Sequence, residues 1–339
     1  MNPTKAPTPA KRRREETTSC LPPYHTLLLM TIMLLSALFY WPSWDAFDAD
    51  LANHDTLIQA SPYFTTTQIG IIRLLFSSIM LGDSLYAVLF GQWEQDFEYD
   101  VDNTQLLPAY KVPFRGYFRQ EPPRSLWRAL LTLSSFTMWA WLLEGVAFLG
   151  LGILSLSSAS SYYSPWVYRT IALCWEISAP TSLLVSAIVK YVLWPFALQS
   201  QNEDANNVNV LKHPGALLEH NLNSIAALVE VGFLSGLPVR AQDAGLAVLF
   251  GLTYVVYSYY MAFRWIATTD KEKKQQPHFM YPFLDPTLPG FTPTLCILGL
   301  LVVLLASHML FCLADTYIHK LNPFLMVPLV ALLVCRVRD

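Results

Sequence analysis

Two short stretches of the chain hold side chains whose types and spacing could carry out acyl transfer. In the first, Thr137, Trp141 and Glu144 stand four and then three residues apart, which places them on one face of a helix. In the second, His220, Asn223, Ala227 and Glu230 are spaced three, four and three, again a single stripe, flanked by Leu217, Leu222, Ile225, Leu228 and Val229. A threonine hydroxyl is a weak nucleophile at its own pKa and needs an adjacent base, which a neutral imidazole supplies. Asn223 could orient that imidazole or donate to an oxyanion, and Glu144 or Glu230 could fix its tautomer. A structural reading covers the same residues. Asn, His and Glu hold apolar helices together through hydrogen bonds worth about 0.6–2 kcal/mol, and threonine in such a helix commonly bonds a carbonyl of its own backbone. Spacing alone leaves both readings open.

The elements that must position these residues are apolar helices. Of 339 residues, 53% are hydrophobic and 14% charged, where a soluble domain has about 25% charged. A net charge of −3 offers no field for nucleic acid. GxGxxG, P-loop, HExxH and GxSxG motifs are missing from the sequence, and Cys20, Cys174, Cys296, Cys312 and Cys335 form no C-x-x-C pair. No cofactor and no metal are therefore expected. A hydrocarbon core about 30 Å thick needs roughly 20 apolar residues per helix. Segments at about 24–43, 66–91, 129–155, 166–197, 216–238, 243–266 and 292–314 meet or approach that length, and a shorter one lies at 321–335. The expected fold is an all-α polytopic transmembrane bundle of about eight helices, or seven if the last segment is re-entrant.

The chain divides into a polar, Pro-rich tail over 1–22 and a first helix with its outer loop over 23–65. The main bundle follows over 66–316, with a cytosolic loop at 92–127, and a C-terminal apolar segment with a basic tail completes the chain over 317–339. With the N-terminus in the cytosol, 17 of the 22 Lys and Arg fall on the cytosolic side, as the positive-inside rule requires. The run Lys11–Arg14 is one such anchor, and the first outer loop is acidic, with Asp45, Asp48, Asp50 and Asp55. Both termini are then cytosolic, in a multi-pass protein of the endoplasmic reticulum or plasma membrane. The third and fifth segments run in the same direction. At 1.5 Å per residue, Thr137 lies about 13 Å past Arg128 and His220 roughly 7–8 Å past Gly215, so the two can meet in the cytosolic half. Other ionisable residues within the segments are Arg73, Asp83, Glu176, Lys190, His308 and Asp315. Arg73 and Lys190 are expected to reach an interface.

Three stretches carry a likeness to a known family. They are Leu131–Gly145, with Phe136-Thr137 at the head of a helix; Glu219–Glu230, with ten residues from His220 to Glu230 and Pro238 soon after; and Met280-Tyr-Pro-Phe-Leu-Asp-Pro-Thr-Leu-Pro-Gly290, preceded by Gly251-Leu-Thr-Tyr and Trp265. Over roughly 66–316 the chain resembles the androgen-induced protein and androgen-dependent TFPI-regulating protein family of transmembrane threonine hydrolases, which has Rolling-stone-like relatives. The resemblance implies an intramembrane hydrolase of lipid esters, in particular fatty acid esters of hydroxy fatty acids, drawn from the bilayer. It places the nucleophile on Thr137 and the base on His220. The first helix, the 92–127 loop and the last apolar segment depart from the family. Two other functions fit the sequence: a non-enzymatic membrane scaffold or adhesion-type protein, and a proton-coupled transporter using Asp83, Glu144, Glu176 and Glu230. The internal repeats usual in transporters are not evident in this sequence.

Overall fold

The computed structural model describes residues 22–45, 48–49, 61–90, 93–99, 110–118, 132–157, 164–195, 198, 211, 214–234, 237–261, 281–285, 290–318 and 320–336, with only the backbone described for 93–99, 110–118, Thr132 and Pro282. The tail over 1–21 lies outside the described residues. Eight helices stand among those described. They are α1 (Tyr24–Phe39), α2 (Thr66–Phe90), α3 (Phe136–Leu156), α4 (Pro165–Ile188, extended by a π-turn at Val189–Leu193), α5 (214–234), α6 (Gly245–Met261, entered through a turn at Ala241–Asp243), α7 (Thr292–Ile318) and α8 (Pro323–Val334). The fold is an all-α bundle. α2, α3, α4, α6 and α7 are each long and apolar enough to cross a membrane. Helices suit such a setting because they satisfy every backbone polar group within one segment. Between α2 and α3 the expected plain loop instead contains an antiparallel hairpin, β1 (Trp93–Tyr99) with β2 (Tyr110–Phe118).

Local chemistry sets the helix starts. The Ser135 side chain accepts from the Met138 amide at 3.1 Å and caps α3. Asn322 does the same for Phe324 at 3.0 Å, with Pro323 in the first turn of α8. Pro180 sits inside α4, and the Ser307 hydroxyl of α7 donates to its carbonyl at 2.7 Å.

The helices alternate in direction. At one end, here the proximal end, His25 of α1 meets Thr294 of α7 at 2.5 Å, Ser134 before α3 meets Tyr257 of α6 at 2.7 Å, and Asn221 of α5 meets Arg336 after α8. At the distal end, Ser61 before α2 bonds the Phe233 carbonyl of α5 at 2.5 Å, and Trp44 after α1 packs edge-on to Trp166 of α4 at 5.7 Å. There Arg169 lies between Trp44 and Trp166, 5.2 and 4.8 Å from the ring centres. Its guanidinium bonds both Asp48 oxygens at 3.0 and 2.6 Å and holds that carboxyl below its usual range.

α4 is the central helix, packing on α3, α5, α6, α7 and α8, while α1 lies against α6 and α7. Phe148 of α3 packs between Phe76 and Trp175, and Trp175 meets Phe311 of α7. The exterior is the apolar part: Leu295, Val302, Leu310 and Leu313 of α7 are exposed, while Arg73, Glu144, Glu176, Asn223, Glu230 and His308 are buried. That inversion suits a solvent of hydrocarbon rather than water. α8 has 12 helical residues, about 18 Å of rise. It runs back along α5 from Gly232, which faces Val327 and Pro323, to Asn221, which holds Arg336.

α2 and α3 cross at glycines. A side chain on Gly152 would meet Leu74 at 2.8 Å and the Gly70 carbonyl oxygen at 3.2 Å, while one on Gly82 would meet nothing within 4 Å. Small residues permit such close approach between apolar helices. Gly152→Val is therefore expected to destabilise the bundle by about 1–3 kcal/mol. Gly82→Ala should be neutral or stabilise by up to about 1 kcal/mol. Apparent melting temperatures in one detergent test the contrast, and equal shifts for the two variants would refute the close crossing.

Candidate active site

α5 is not a uniform helix. Leu218–Leu222 forms a π-turn, Asn223–Val229 returns to α geometry, and a second π-turn spans Glu230–Leu234. A π-turn interrupts the regular ladder of backbone bonds, and such turns gather at functional sites. The first carries His220, whose backbone carbonyl accepts from the Ser186 hydroxyl of α4. Ser186 also lies 3.2 Å from Asn223 Oδ1 and 2.7 Å from Ser224 Oγ. The Ser224 hydroxyl donates to the Ser182 carbonyl at 2.8 Å, and its amide donates to Asn223 Oδ1 at 2.7 Å. The small serines of α4 thus let α5 approach closely and fix the Asn223 side chain. Its oxygen is engaged twice, so its NH2 group is the part left to act. Asn223 Nδ2 is buried without a hydrogen-bond partner among the described residues, and so is His220 Nδ1. Buried polar atoms normally find partners, and these two exceptions stand within one turn of each other on α5.

α3 packs against the Leu218–Leu222 turn. Thr137 lies in its first turn, half-buried. Tyr254 donates to the Ser134 carbonyl at 3.0 Å and meets the rings of Phe136 and Tyr281 edge-on at 5.2 and 5.9 Å, and Tyr257 meets the Ser134 hydroxyl at 2.7 Å. Residues of the first, second and third sequence stretches thus lie on elements that pack together at the proximal end.

The five expected site residues are placed differently from one another. Thr137 and His220 lie on elements that touch, but no direct hydrogen bond joins them among the described residues. Asn223 sits one turn from His220 on the same helix. Glu144 is fully buried on α3, and neither of its oxygens has a hydrogen-bond partner among the described residues; the same holds for Trp141 Nε1. Glu230 is elsewhere. Its two oxygens lie 3.1 and 3.0 Å from Arg73 Nε, and Arg73 Nη1 donates to Ser155 at 2.6 Å. Glu230 cannot also orient His220, ten residues away or about 15 Å along the helix. Arg73, expected at an interface, is instead fully buried in this pair, because a carboxylate on the neighbouring helix compensates its charge more effectively than a long reach to water. Lys190 does reach the proximal end, donating to the Leu332 and Leu333 carbonyls at 2.5 and 3.0 Å.

The remaining polar groups form a separate distal network. Arg240 bonds Glu176 at 3.0 Å and Asp243 at 2.7 Å. His308 Nε2 lies 3.0 Å from the Arg240 carbonyl, and the Val239 amide donates to Asp315 at 3.3 Å. No group of three or more metal-ligating side chains is found among the described residues. Sequence reasoning missed Tyr254, Tyr281 and the serines of α4 as site residues. Tyr281 stands in the most specific of the three stretches, and that was the available signal. Compared with known proteins, the chain matches no family model, no curated protein and no solved structure.

Proposed function

We propose that the chain is an intramembrane hydrolase of lipid esters, in particular of fatty acid esters of hydroxy fatty acids, with Thr137 as nucleophile and His220 as base. The observation that carries this reading is a pair of buried, unpartnered groups, His220 Nδ1 on the turn that packs against α3 and Asn223 Nδ2 just beyond that turn, with Thr137 in the first turn of α3. A proton acceptor, an amide donor and a hydroxyl are what an acyl-transfer site offers before substrate arrives. The ester enters sideways from the leaflet with its carbonyl at Thr137. His220 takes the hydroxyl proton, an acyl-threonine forms, and the alcohol leaves with that proton. Asn223 Nδ2 donates to the oxyanion, and water admitted at the proximal end, on the cytosolic side by the charge rule, completes turnover. The transporter reading loses support because two of its four acids, Glu176 and Glu230, are held by arginines. A purely structural stripe would also match His220 Nδ1 and Asn223 Nδ2, whereas only the His220 carbonyl and the Asn223 oxygen are engaged by α4.

The test is hydrolysis of a hydroxy-fatty-acid ester by purified full-length protein in lipid nanodiscs, alongside labelling by an alkyl fluorophosphonate. Wild type should label and release fatty acid, and His220→Ala should slow both by about 10²–10⁴-fold. Equal rates in wild type and His220→Ala, or a wild type that neither labels nor hydrolyses, would end the proposal.

A further inference from the structure

The hydrolase mechanism places the ester carbonyl but leaves open where the hydrocarbon chain behind it lies. An apolar cavity of about 240 Å³ stands at the distal end of α5, walled by Tyr63 and Phe64, Ile72 of α2, Val229 and Phe233 of α5, and Phe324 of α8. We infer that this cavity receives the far end of the ester's acyl chain and sets the longest chain the protein accepts; this rests on the hydrolase reading above. The walls are hydrocarbon apart from the Tyr63 hydroxyl. Apolar cavities stay dry, and one of about 150 Å³ already holds a benzene. Tyr63 and Phe324 are 42% and 65% exposed, so the cavity opens onto the apolar exterior, where an embedded bundle meets lipid chains. No charge lines it to recruit a headgroup or a peptide, and an acyl chain is the occupant that such walls match.

Helix α5 connects the site to the cavity. Asn223 Nδ2, aimed at the oxyanion, marks the level of the carbonyl. Val229 and Phe233 follow six and ten residues further on, about 9 and 15 Å along the helix. One leaflet's share of a hydrocarbon core about 30 Å thick is also about 15 Å, the depth that one acyl chain fills. Leu222, Ile225, Val229 and Phe233 recur three and four residues apart and are all half-buried. They form a hydrocarbon track beside the buried polar stripe. The Arg73–Glu230 pair does not interrupt it, because both side chains are fully buried, while their chain neighbours Ile72 and Val229 form the cavity wall. Rings close the far end. Phe233 and Phe324 meet edge-on at 5.1 Å, and Tyr63 meets each of them edge-on at 5.7 and 5.3 Å. The Ser61 hydroxyl ties the Phe233 backbone to the approach of α2. A chain that leaves the bilayer for this cavity exchanges one apolar surrounding for another, so packing rather than the hydrophobic effect discriminates. An overlong chain meets the rings, whereas a short one leaves space that neighbouring lipid fills. The cut-off therefore falls on the long side.

The experiment gives purified full-length protein in nanodiscs a series of hydroxy-fatty-acid esters that differ only in acyl chain length, and reads kcat/KM for each. Wild type should show a sharp upper limit. Phe233→Ala opens the floor and should raise kcat/KM for the first rejected chain by about 10-fold, the scale of methylene discrimination in an apolar pocket. Val229→Phe fills the mouth and should lower kcat/KM for the longest accepted chain by a similar factor. A short-chain ester, which stops before the cavity, should be cleaved by both variants at nearly the wild-type rate. A long ester with a photoreactive terminal carbon should crosslink to the peptides bearing Phe233 or Phe324, in wild type and in Thr137→Ala alike; this readout decides if the cavity variants do not fold. Equal effects at every chain length, or crosslinks confined to other helices, in a wild type that hydrolyses these esters, would overturn the cavity assignment and leave the hydrolase reading standing. A wild type that hydrolyses no ester of any length would overturn both.

Discussion

Thr137→Ala is expected to lose labelling and hydrolysis by about 10³-fold or more, the scale seen when an acyl-transfer nucleophile is removed, while Thr137→Ser keeps a measurable share of both. The neighbouring hydroxyls should not substitute. Ser135 Oγ accepts the Met138 amide as the helix cap, and Ser134 Oγ is bonded to Tyr257. The cap of α3 is Ser135 and not Thr137, so the Thr137 proton can be drawn off without dismantling the helix start. Truncating this half-buried hydroxyl should cost little, so apparent melting temperature should barely move. Hydrolysis by Thr137→Ala at the wild-type rate would take the nucleophile away from this residue. Loss of both folding and activity would not decide the matter, so Thr137→Ser is the decisive partner: a folded serine variant without activity counts against a hydroxyl nucleophile here.

The second large effect concerns stability. Arg73→Met should destabilise the bundle by roughly 3–5 kcal/mol, because it leaves the Glu230 carboxylate buried without its partner. Both side chains are fully buried and joined through Nε and Nη2, with Ser155 completing the guanidinium's bonds. The double variant Arg73→Met/Glu230→Leu should recover most of the loss, since hydrophobic replacement of a buried ion pair is often neutral or favourable. Thermal survival of the folded monomer peak in detergent measures each step. Additive losses in the double variant would show that the two charges do not depend on each other. Because Glu230 lies too far along the helix to orient His220, the recovered double variant should hydrolyse at the wild-type rate.

The helices were largely legible, because each is a long apolar run bounded by polar residues or proline. The expected 66–91 is observed as Thr66–Phe90, and 292–314 as Thr292–Ile318. The segment at 129–155 begins later, at Phe136, where the Ser135 side chain can accept the first free amide. The hairpin was legible but not read: Trp93, Phe97 and Tyr99 alternate with Glu94, Asp96 and Glu98, the period of a strand, in a stretch taken only as a loop. Arg73 was misjudged because a single segment shows a cation but not the carboxylate that waits on a helix 157 positions away. The polar stripe of α5 faces the interior, as expected, at Asn223 and Glu230 alike; its far end serves another partner, since Glu230 pairs with Arg73 and the π-turns divide the helix into separate neighbourhoods. Tyr281 carries no periodicity at all; only the folded path of its turn brings its ring against Tyr254 of α6.

The clasp between α8 and α5 ties together two distant parts of the chain. Asn221 grips the backbone of Arg336 through both its amide atoms, Cys335 Sγ lies 3.6 Å from the Asn221 carbonyl, and Lys190 and Tyr191 bind the carbonyls that close α8. The residue next to His220 is therefore braced by a segment 115 positions further along the chain, so undocking α8 would loosen the turn that carries the imidazole.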